Sequence, residues 1–223
     1  MKKIVIIGDS LSLPRPDDGI NFECTYPYLL SKELDSFIII NRSRRANDTK
    51  EQTVNQNIMD DIVYLKPDIL IIHLGIVDCA PRIFSRNETT LLKYLKFVNK
   101  YIIKFASRHR YLITKIFKKV YVKPNEFQQN LEVLIKKVKE YTNKVYIVNI
   151  ANTNEENINK SYGFIQHINT YNEILENIAK DENIKLIDIN SVTGNILLDD
   201  GIHLNENGNI KMSQILIREI NKC

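Results

Sequence analysis

Two short stretches near opposite ends of the chain carry the residue types that nucleophilic ester chemistry needs. Ser10 lies in Gly8-Asp9-Ser10-Leu11, directly after the first apolar run, and the second stretch is Asp200-Gly201-Ile202-His203. A serine is activated when a base lies within hydrogen-bond reach and a carboxylate holds that base in the correct tautomer. An Asp three residues before a His presents both side chains to one point only from a turn or a short helical segment, which Gly201 permits. Alone, each stretch is more typical of a turn or a helix cap, but together they predict a Ser–His–Asp site.

Short β-branched runs that alternate with helical patterns indicate the elements that position these stretches. Apolar residues three and four positions apart, as from Val54 to Leu65, predict the helices. Continuous apolar runs predict strands that are buried on both faces of a parallel sheet, and there are five such runs: Lys3–Ile7, Phe37–Ile40, Ile69–His73, Val145–Asn149 and Lys185–Ile189. The alternation predicts a three-layer α/β fold with a doubly wound parallel sheet. Sites in such sheets lie at the carboxyl ends of the strands, where Ser10 falls.

Four sequence blocks resemble, in their order and spacing, those of the SGNH or GDSL hydrolase family. The end blocks are Gly8–Leu11 and Asp200–His203, and two weaker blocks lie between them, at Asn41–Thr49 and Leu74–Asp78. The resemblance implies a three-layer α/β/α, flavodoxin-like fold with a five-stranded, mainly parallel sheet. It also implies a single hydrolase-like domain over residues 1–223, with a helical insertion after the third strand at about residues 88–127.

Carried over residue by residue, the resemblance implies a role for each member of the site. Ser10 is the nucleophile, His203 is the general base, and Asp200 orients His203. The backbone N–H groups of Ser10 and Asn47 bind the oxyanion, the negatively charged oxygen of the tetrahedral intermediate. Asn47 stands where the family usually has a Gly, and Asn is the residue that best tolerates the left-handed conformation after Gly. No metal or organic cofactor is expected.

The third block departs from the family pattern, in which an Asn side chain also donates to the oxyanion. This chain has Val77 at that position. Loss of one such donor typically lowers turnover by about 10²–10³. Gly75, Val77 and Arg82 are therefore further candidates for the oxyanion site, with Arg82 or Asn87 as the replacement donor.

A strongly basic segment interrupts the α/β pattern between the third and fourth strands. Ten Lys and Arg residues and no acidic residue lie between Lys93 and Lys123, so that this segment carries +10 while the rest of the chain carries −6. Aromatic and aliphatic residues fill most of its other positions, which predicts amphipathic helices. Three interpretations remain open: a cap whose apolar face packs on the domain, a helix attached to an anionic membrane surface, or a wall that attracts an anionic glycan or nucleotide-linked substrate. Because the insertion follows the third strand and so starts close to the predicted site, it is also placed to act as a lid.

Composition and the remaining motifs exclude several classes of protein. Hydrophobic residues make up 43% and charged residues 26% of the 223-residue chain, which is typical of a globular protein. No apolar run reaches the ~18 residues of a membrane span, and no phosphate-binding glycine loop or nucleic-acid-binding motif is present. Cys24, Cys79 and Cys223 form no CxxC pair and fit reduced thiols. We therefore expect a cytoplasmic protein, with peripheral attachment to the inner membrane face as an alternative, and no nucleic-acid partner.

These observations predict a serine esterase that hydrolyses a carboxylic ester through an acyl-enzyme. An acetyl ester on a carbohydrate or a related small molecule is the first expectation. The apolar Val77 side chain disfavours water in the pocket, so an acyltransferase of surface-glycan biosynthesis, which passes the acyl group to a sugar, is an alternative. A lysophospholipase or thioesterase of the same family is another alternative. The alternative from another class is a non-catalytic module that binds a glycan or a membrane.

Overall fold

The computed structural model describes residues 1–95, 99–142 and 144–222 and has a five-stranded, all-parallel sheet at its centre. The strands follow the order β2-β1-β3-β4-β5 across the sheet. Their bounds are β1 (Lys2–Gly8), β2 (Phe37–Asn41), β3 (Ile69–His73), β4 (Val145–Val148) and β5 (Lys185–Ile187). The predicted fold class is confirmed, and each of the five apolar runs forms a strand, with the last two ending earlier than the sequence pattern suggested.

The apolar runs form strands because both faces of the sheet are covered by helices. On one face, Ile4 and Ile6 of β1 pack with α1 (Tyr26–Glu33) and α11 (Glu206–Ile220). On the other face, Val5 and Ile7 pack with α8 (Pro124–Lys139) and α10 (Phe164–Asp181). Successive strand residues point to opposite faces, so a strand covered on both sides has no polar alternation. These four residues are fully buried.

Shorter helices lie in the connections. They are α2 (Thr49–Gln52), α3 (Asn55–Ile58), α4 (Ile76–Cys79) and α9 (Glu155–Lys160). The helix predicted from Val54 to Leu65 is not continuous, because α3 is followed by a π-helical turn at Met59–Val63. The wider turn still leaves Ile58 and Ile62 in the core, which is the feature that the apolar spacing detected.

The basic insertion forms three helices, α5 (Arg86–Tyr94), α6 (Asn99–Arg108) and α7 (Arg110–Phe117). Lys96 and Phe97, which belong to the predicted basic segment, lie outside the described residues. Within the three helices only Ala106 and Thr114 are buried. Large apolar side chains are exposed instead, including Tyr94 at 78%, Tyr101 at 73% and Phe105 at 66%. The interpretation in which the apolar face of this segment packs on the domain is therefore wrong for most of its residues.

Polar contacts join the two ends of the insertion to each other and tie the insertion to the rest of the chain. The Lys119 ammonium lies 2.6 Å from the Glu88 carboxylate, and the Arg82 N–H donates to the Lys119 carbonyl at 2.8 Å. Arg110 donates to the Ser161 hydroxyl at 2.6 Å and to the Pro81 carbonyl at 3.0 Å. None of the described helices is long and apolar enough to cross a bilayer.

Candidate active site

Ser10 lies at the carboxyl end of β1, in a 3-10 turn that Asp9 caps. The Asp9 carboxylate accepts a hydrogen bond from the Leu11 N–H at 2.9 Å, which shapes the turn around Ser10. Gly8 is needed just before it, because a Cβ at this position would lie 2.9 Å from the His73 carbonyl oxygen of the neighbouring β3. The N–H of Ser10 stands at the start of the turn, where helical N–H groups have no partner within the helix and face outward.

Asp200 and His203 are brought together by a tight turn before α11. One Asp200 carboxylate oxygen accepts from the N–H groups of Ile202 and His203, each at 2.9 Å, while the other lies 2.5 Å from His203 Nδ1. Gly201 makes the turn possible, because its φ of 65° is left-handed and a Cβ there would collide with the Asn154 side chain. Burial acts to raise the pKa of Asp200, but the hydrogen bonds from His203 and Ile202 outweigh it and hold that pKa below its usual value.

Ser10 and His203, which are 193 residues apart in the chain, meet at this edge of the sheet. Ser10 Oγ lies 2.9 Å from His203 Nε2, so the three side chains form a continuous Ser10–His203–Asp200 chain of hydrogen bonds. The His203 side chain is 15% exposed and that of Asp200 is 39% exposed, so the imidazole is shielded while the site stays open to solvent. The arrangement has the geometry that serine activation needs: a nucleophile within reach of a base, and a base oriented by a carboxylate.

Arg15 is a member of the site that the sequence pattern did not reveal. Its Nη1 lies 3.2 Å from His203 Nε2, and its Nη2 lies 3.9 Å from the Asp200 carboxylate. Its Nε donates to Asp18 at 2.7 Å, and two backbone hydrogen bonds between Arg15 and Ile20 close the turn that carries it. The only signal in the sequence is the Pro- and Asp-rich turn after Ser12, which predicts a turn without saying where the guanidinium points.

Asn47, the expected second oxyanion donor, already has partners in the structure. Its N–H donates to the Arg44 carbonyl at 3.2 Å, and its side-chain amide donates to Gly8 O at 3.1 Å and to Gln52 at 2.9 Å. The left-handed residue of this turn is Ala46, with a φ of 56°, rather than Asn47. The Asn47 side chain thus stabilises the turn before Ser10. The backbone N–H of Asn47 can donate to the oxyanion only if it first breaks its hydrogen bond to the Arg44 carbonyl.

The other oxyanion candidates, Gly75, Val77 and Arg82, lie at the carboxyl end of β3 and just beyond it. Gly75 has a φ of 137°, and a Cβ there would lie 2.8 Å from Ile150, so that a glycine is required on both counts. Val77 is 7% exposed and offers only an apolar side chain. Arg82 donates to the Val77 carbonyl at 2.9 Å and stacks on Tyr121, with 4.2 Å between the guanidinium carbon and the ring centre. Asn87 is exposed on α5.

Two buried carboxyl groups lie close to these residues. Burial raises the pKa of Asp9 and of Asp78 to about 7 each, although hydrogen bonds from Leu11 to Asp9 and from Thr49 to Asp78 oppose this. One oxygen of each carboxyl is buried without a partner among the described residues. The negative charge of Asp78 adds to the rise at Asp9, so the two groups interact beneath the Ser10 turn.

The remaining histidines and Cys79 have structural environments. His73 is 3% exposed, and burial lowers its pKa to about 4, as expected for a neutral core histidine. His167 is half-buried on α10, with Nδ1 3.0 Å from the Cys79 carbonyl, and His109 is exposed. Cys79 is fully buried, and burial raises the pKa of its thiol, which agrees with a small hydrophobic residue rather than a nucleophile.

Comparison with known proteins identifies the family. The fold resembles that of the lipase/acylhydrolase from Enterococcus faecalis at 16% identity and a TM-score of 0.70, covering 99% of this chain and 95% of that one. It also resembles a catalytic mutant of Axe2, an acetylxylan esterase from Geobacillus stearothermophilus, at 17% identity and a TM-score of 0.65, covering 98% and 94%. A third similar structure is the acetyl xylan esterase AlAXEase, at 20% identity and a TM-score of 0.65, covering 98% and 99%. No curated protein sequence matches the chain.

The family expected from the four sequence blocks is thereby confirmed. The match to the family description extends over residues 6–209, from the first strand into the last helix. It contains both end blocks and therefore all three members of the hydrogen-bonded chain. The chain belongs to the GDSL-like lipase/acylhydrolase family.

Proposed function

We propose that the protein is a serine esterase in which Ser10 attacks the ester carbonyl, His203 is the general base and Asp200 orients His203. The observation that carries this proposal is the hydrogen-bonded chain, with 2.9 Å from Ser10 Oγ to His203 Nε2 and 2.5 Å from His203 Nδ1 to Asp200. Because Asp200 accepts from Nδ1, the tautomer with a bare Nε2 is favoured, and this is the nitrogen that must accept the serine proton.

The reaction proceeds in two halves around an acyl-enzyme. In the first, Ser10 Oγ bonds to the ester carbonyl carbon while its proton passes to His203 Nε2. The tetrahedral intermediate then collapses as the C–O bond to the alcohol breaks, and His203 returns the proton to the departing alcohol. In the second half, water attacks the carbonyl carbon of the acyl-enzyme and gives its proton to His203. The bond between the acyl carbon and Ser10 Oγ then breaks, His203 returns the proton to Oγ, and the carboxylic acid leaves. No metal or organic cofactor takes part in these steps.

The Ser10 N–H is the first proposed oxyanion donor, and the Asn47 N–H is the second. Asn47 donates to Arg44 in this structure, so its participation requires a small rearrangement of the turn when substrate binds. Val77 supplies no side-chain donor, which makes slow turnover the expectation for this enzyme. This weakness also supports the alternative of a non-catalytic module that binds a glycan or a membrane.

We propose an acetyl ester on a carbohydrate as the substrate. Two of the similar structures are described as acetylxylan or acetyl xylan esterases, and this likeness supports the proposal. The buried, apolar Val77 supports the alternative of acyl transfer to a sugar in surface-glycan biosynthesis, since an apolar site disfavours water as the acceptor. A lysophospholipase or thioesterase is the other alternative within the family.

The direct test uses a fluorophosphonate probe, which labels only an activated serine. We expect labelling of the wild-type protein and none of the Ser10→Ala variant. A panel of p-nitrophenyl esters from acetate to decanoate then measures the preferred acyl length, and acetylated xylo-oligosaccharides test the sugar. An unlabelled wild-type protein that still binds a glycan would favour the non-catalytic module.

We further propose that helices α5–α7 attach the enzyme to an anionic membrane surface. Ten large apolar side chains between residues 91 and 117 are exposed. Of the cations in this part of the chain, only Arg86 and Lys119 form ion pairs among the described residues. Exposed aromatic and aliphatic residues interleaved with Lys and Arg are typical of helices that lie in the headgroup region of anionic bilayers. A symmetric dimer through this face would place like charges against each other, which disfavours a second copy as the partner.

A further inference from the structure

A cavity of about 320 Å³ lies between the insertion and the chain that follows α4. Its walls come from all three helices of the insertion, from residues 82–84 and from Tyr121. Among the described residues that line it are three cationic side chains, Arg82, Lys93 and Arg110, and no acidic one. Most of the other lining residues are apolar. A volume of this size accepts a small molecule, since small-molecule sites begin at about 300 Å³.

The three cations of this cavity form no ion pair within the described part of the chain, where the ion pairs of this region involve Arg86 and Lys119 instead. Burial lowers the pKa of Arg82, and the negative charge of Asp78 opposes this only in part. Arg82 donates to the Val77 carbonyl, while Arg110 donates to the Ser161 hydroxyl and the Pro81 carbonyl, and all of these acceptors are neutral. A guanidinium group has five N–H donors, so most of these donors remain available. The Arg82 Nε is buried and has no partner among the described residues.

Burying two guanidinium groups close to each other lowers the stability of a fold. Burial lowers the pKa of Arg82 and of Arg110, and for Arg110 the positive charge of Arg82 adds to this effect. Cations that are removed from water without a counter-ion destabilise a fold unless something pairs with them. An anion between the guanidinium groups of Arg82 and Arg110 would offset the repulsion between their positive charges and would also accept hydrogen bonds from their free N–H groups. A guanidinium group is planar and binds a carboxylate or phosphate through two parallel hydrogen bonds.

Arg82 connects this cavity with the candidate active site. Its Nη2 donates at 2.9 Å to the carbonyl of Val77, the residue at the position of the family's missing oxyanion donor. Its charge also reaches Asp9, the neighbour of Ser10: burial raises the pKa of Asp9, and the Arg82 charge is among the effects that oppose this rise. Arg82 thus lines the cavity, and its positive charge also acts on Asp9 in the turn that carries Ser10.

We propose that this cavity binds an anionic group, a carboxylate or a phosphate, of the substrate whose ester bond lies at Ser10. Arg82 and Arg110 bind the anion, Lys93 lies at the exposed mouth, and the apolar wall formed by residues such as Phe84 and Leu92 packs against the rest of the ligand. The proposal rests on the proposed esterase function and adds the substrate class: an ester that carries a negative charge away from the scissile bond.

Calorimetric titration of the Ser10→Ala protein tests the site without turnover. The probes are butyl phosphate, pentanoate and, as the neutral control, 1-butanol. We expect the anionic probes to bind and 1-butanol not to. Lys93→Gln should weaken binding about threefold, and Arg110→Gln about tenfold or more, because hydrogen bonds to charged groups are the strong ones. The matched control is Lys104→Gln, an exposed cation of α6 that does not line the cavity, and it should change the dissociation constant less than twofold.

The proposal is overturned if neither anionic probe binds more tightly than 1-butanol, or if Lys104→Gln weakens binding as much as Lys93→Gln does. The ratio of the two anionic affinities identifies the preferred anion. Arg110→Lys keeps the positive charge but cannot form two parallel hydrogen bonds to the anion, so its binding affinity should lie between those of the wild type and Arg110→Gln. If Arg110→Gln lowers the melting temperature, Lys93→Gln decides alone, because the Lys93 side chain is exposed and forms no ion pair with any of the described residues. Binding that depends on Lys93 together with an absence of fluorophosphonate labelling would retain the site and reject the esterase mechanism.

Discussion

Arg15 and Ser10 share one nitrogen of His203. Arg15 Nη1 lies 3.2 Å and Ser10 Oγ lies 2.9 Å from the same Nε2. As long as Nε2 is bare it can accept from both groups. Once it has taken the serine proton it carries a hydrogen of its own, and the contact with Arg15 becomes a repulsion between two cations. The guanidinium therefore opposes the imidazolium that forms in the proposed mechanism, unless Arg15 moves away during turnover.

We accordingly expect Arg15→Gln to raise the turnover of a small neutral acetyl ester by about two- to fivefold, since a like charge at this distance disfavours the imidazolium. The measurement is a single-turnover burst with p-nitrophenyl acetate. Arg15→Lys, which keeps the positive charge, should stay near the wild-type rate. A tenfold fall in Arg15→Gln would mean instead that Arg15 holds Asp200 and His203 in place, and the inhibitory interpretation would be abandoned.

Replacing Ser10 by Ala should lower kcat by about 10³-fold or more while the fold remains intact, because members of such a triad act as a unit. His203→Ala should behave in the same way, and Asp200→Asn should keep more activity than either. Steady-state rates and thermal melts of the three variants provide the measurement. A Ser10→Ala protein that is folded and has a near wild-type rate would exclude Ser10 as the nucleophile.

Restoring the family's donor by Val77→Asn should increase kcat by about tenfold or more, because a single oxyanion donor is worth about 10²–10³ in comparable sites. The side chain is almost fully buried, so some of that gain will be offset by the loss of apolar packing. Val77→Thr, which is close in shape to Val, serves as the packing control. An unchanged rate in a folded Val77→Asn protein would show that the oxyanion binds elsewhere.

The buried Asp78 should make stability depend on pH. Burial raises the pKa of Asp78 from 3.8 to about 7, so that between about pH 4 and pH 7 the folded state retains a proton that the unfolded state has released. The free energy of unfolding therefore falls as pH rises through this window. One pKa unit corresponds to about 1.4 kcal/mol, so we expect a loss of about 2–4 kcal/mol from this group.

Asp78→Asn isolates this contribution, because the amide does not titrate. Urea unfolding at several pH values between 4 and 8 gives the free energy of unfolding of both proteins. As pH rises, the wild type should lose stability relative to the variant. A constant offset from burying the amide N–H₂ does not matter, since the slope alone is tested. The titration of His73, whose pKa burial lowers to about 4, is common to both proteins and cancels. Asp9, whose pKa burial raises to about 7, also titrates in both proteins, and only its interaction with the Asp78 charge is removed together with Asp78. Parallel stability curves would refute the raised pKa of Asp78.

Membrane attachment through α5–α7 should depend on both charge and exposed aromatic residues. Replacing Lys100, Lys104 and Arg108 of α6 by Gln should weaken binding to vesicles that contain phosphatidylserine by about tenfold to a hundredfold, as measured by co-sedimentation. Each cation near such a surface contributes about 1 kcal/mol, and about 1.4 kcal/mol corresponds to a factor of ten. Binding of the wild type should fade as salt rises, because screening shortens the range of these interactions. Phe105→Ala tests the apolar component, and hydrolysis of p-nitrophenyl acetate should change in neither protein.

Vesicles of neutral phosphatidylcholine are the control for this experiment. Equal binding of the triple variant and the wild type to anionic vesicles at low salt would reject the membrane proposal. A concentration-dependent dimer in place of vesicle binding would instead identify a second copy of the chain as the partner of this surface.

Much of the fold and the central part of the site could be predicted from the sequence because they follow local rules. A strand buried on both faces requires a continuous apolar run, and Ile4–Ile7 is such a run. A sharp turn that presents Asp200 and His203 to one point requires a residue that tolerates a left-handed φ, and Gly201 supplies it. Together with the parallel topology, these rules predicted that Ser10 and His203 would lie at the same edge of the sheet.

Only the tertiary structure determined the features that depend on the positions of the charged ends of long side chains and on which surfaces are covered. No spacing rule relates Arg15 to His203, or Arg82 to Arg110, because the two members of each pair come from separate segments and approach each other only in the folded chain. The apolar periodicity of α5–α7 predicted amphipathic helices, yet it could not say whether Tyr101 and Phe105 would be covered. An amphipathic pattern has the same period whether its apolar face meets a core, a membrane or water, and only the packing of the whole chain left that face of the insertion exposed.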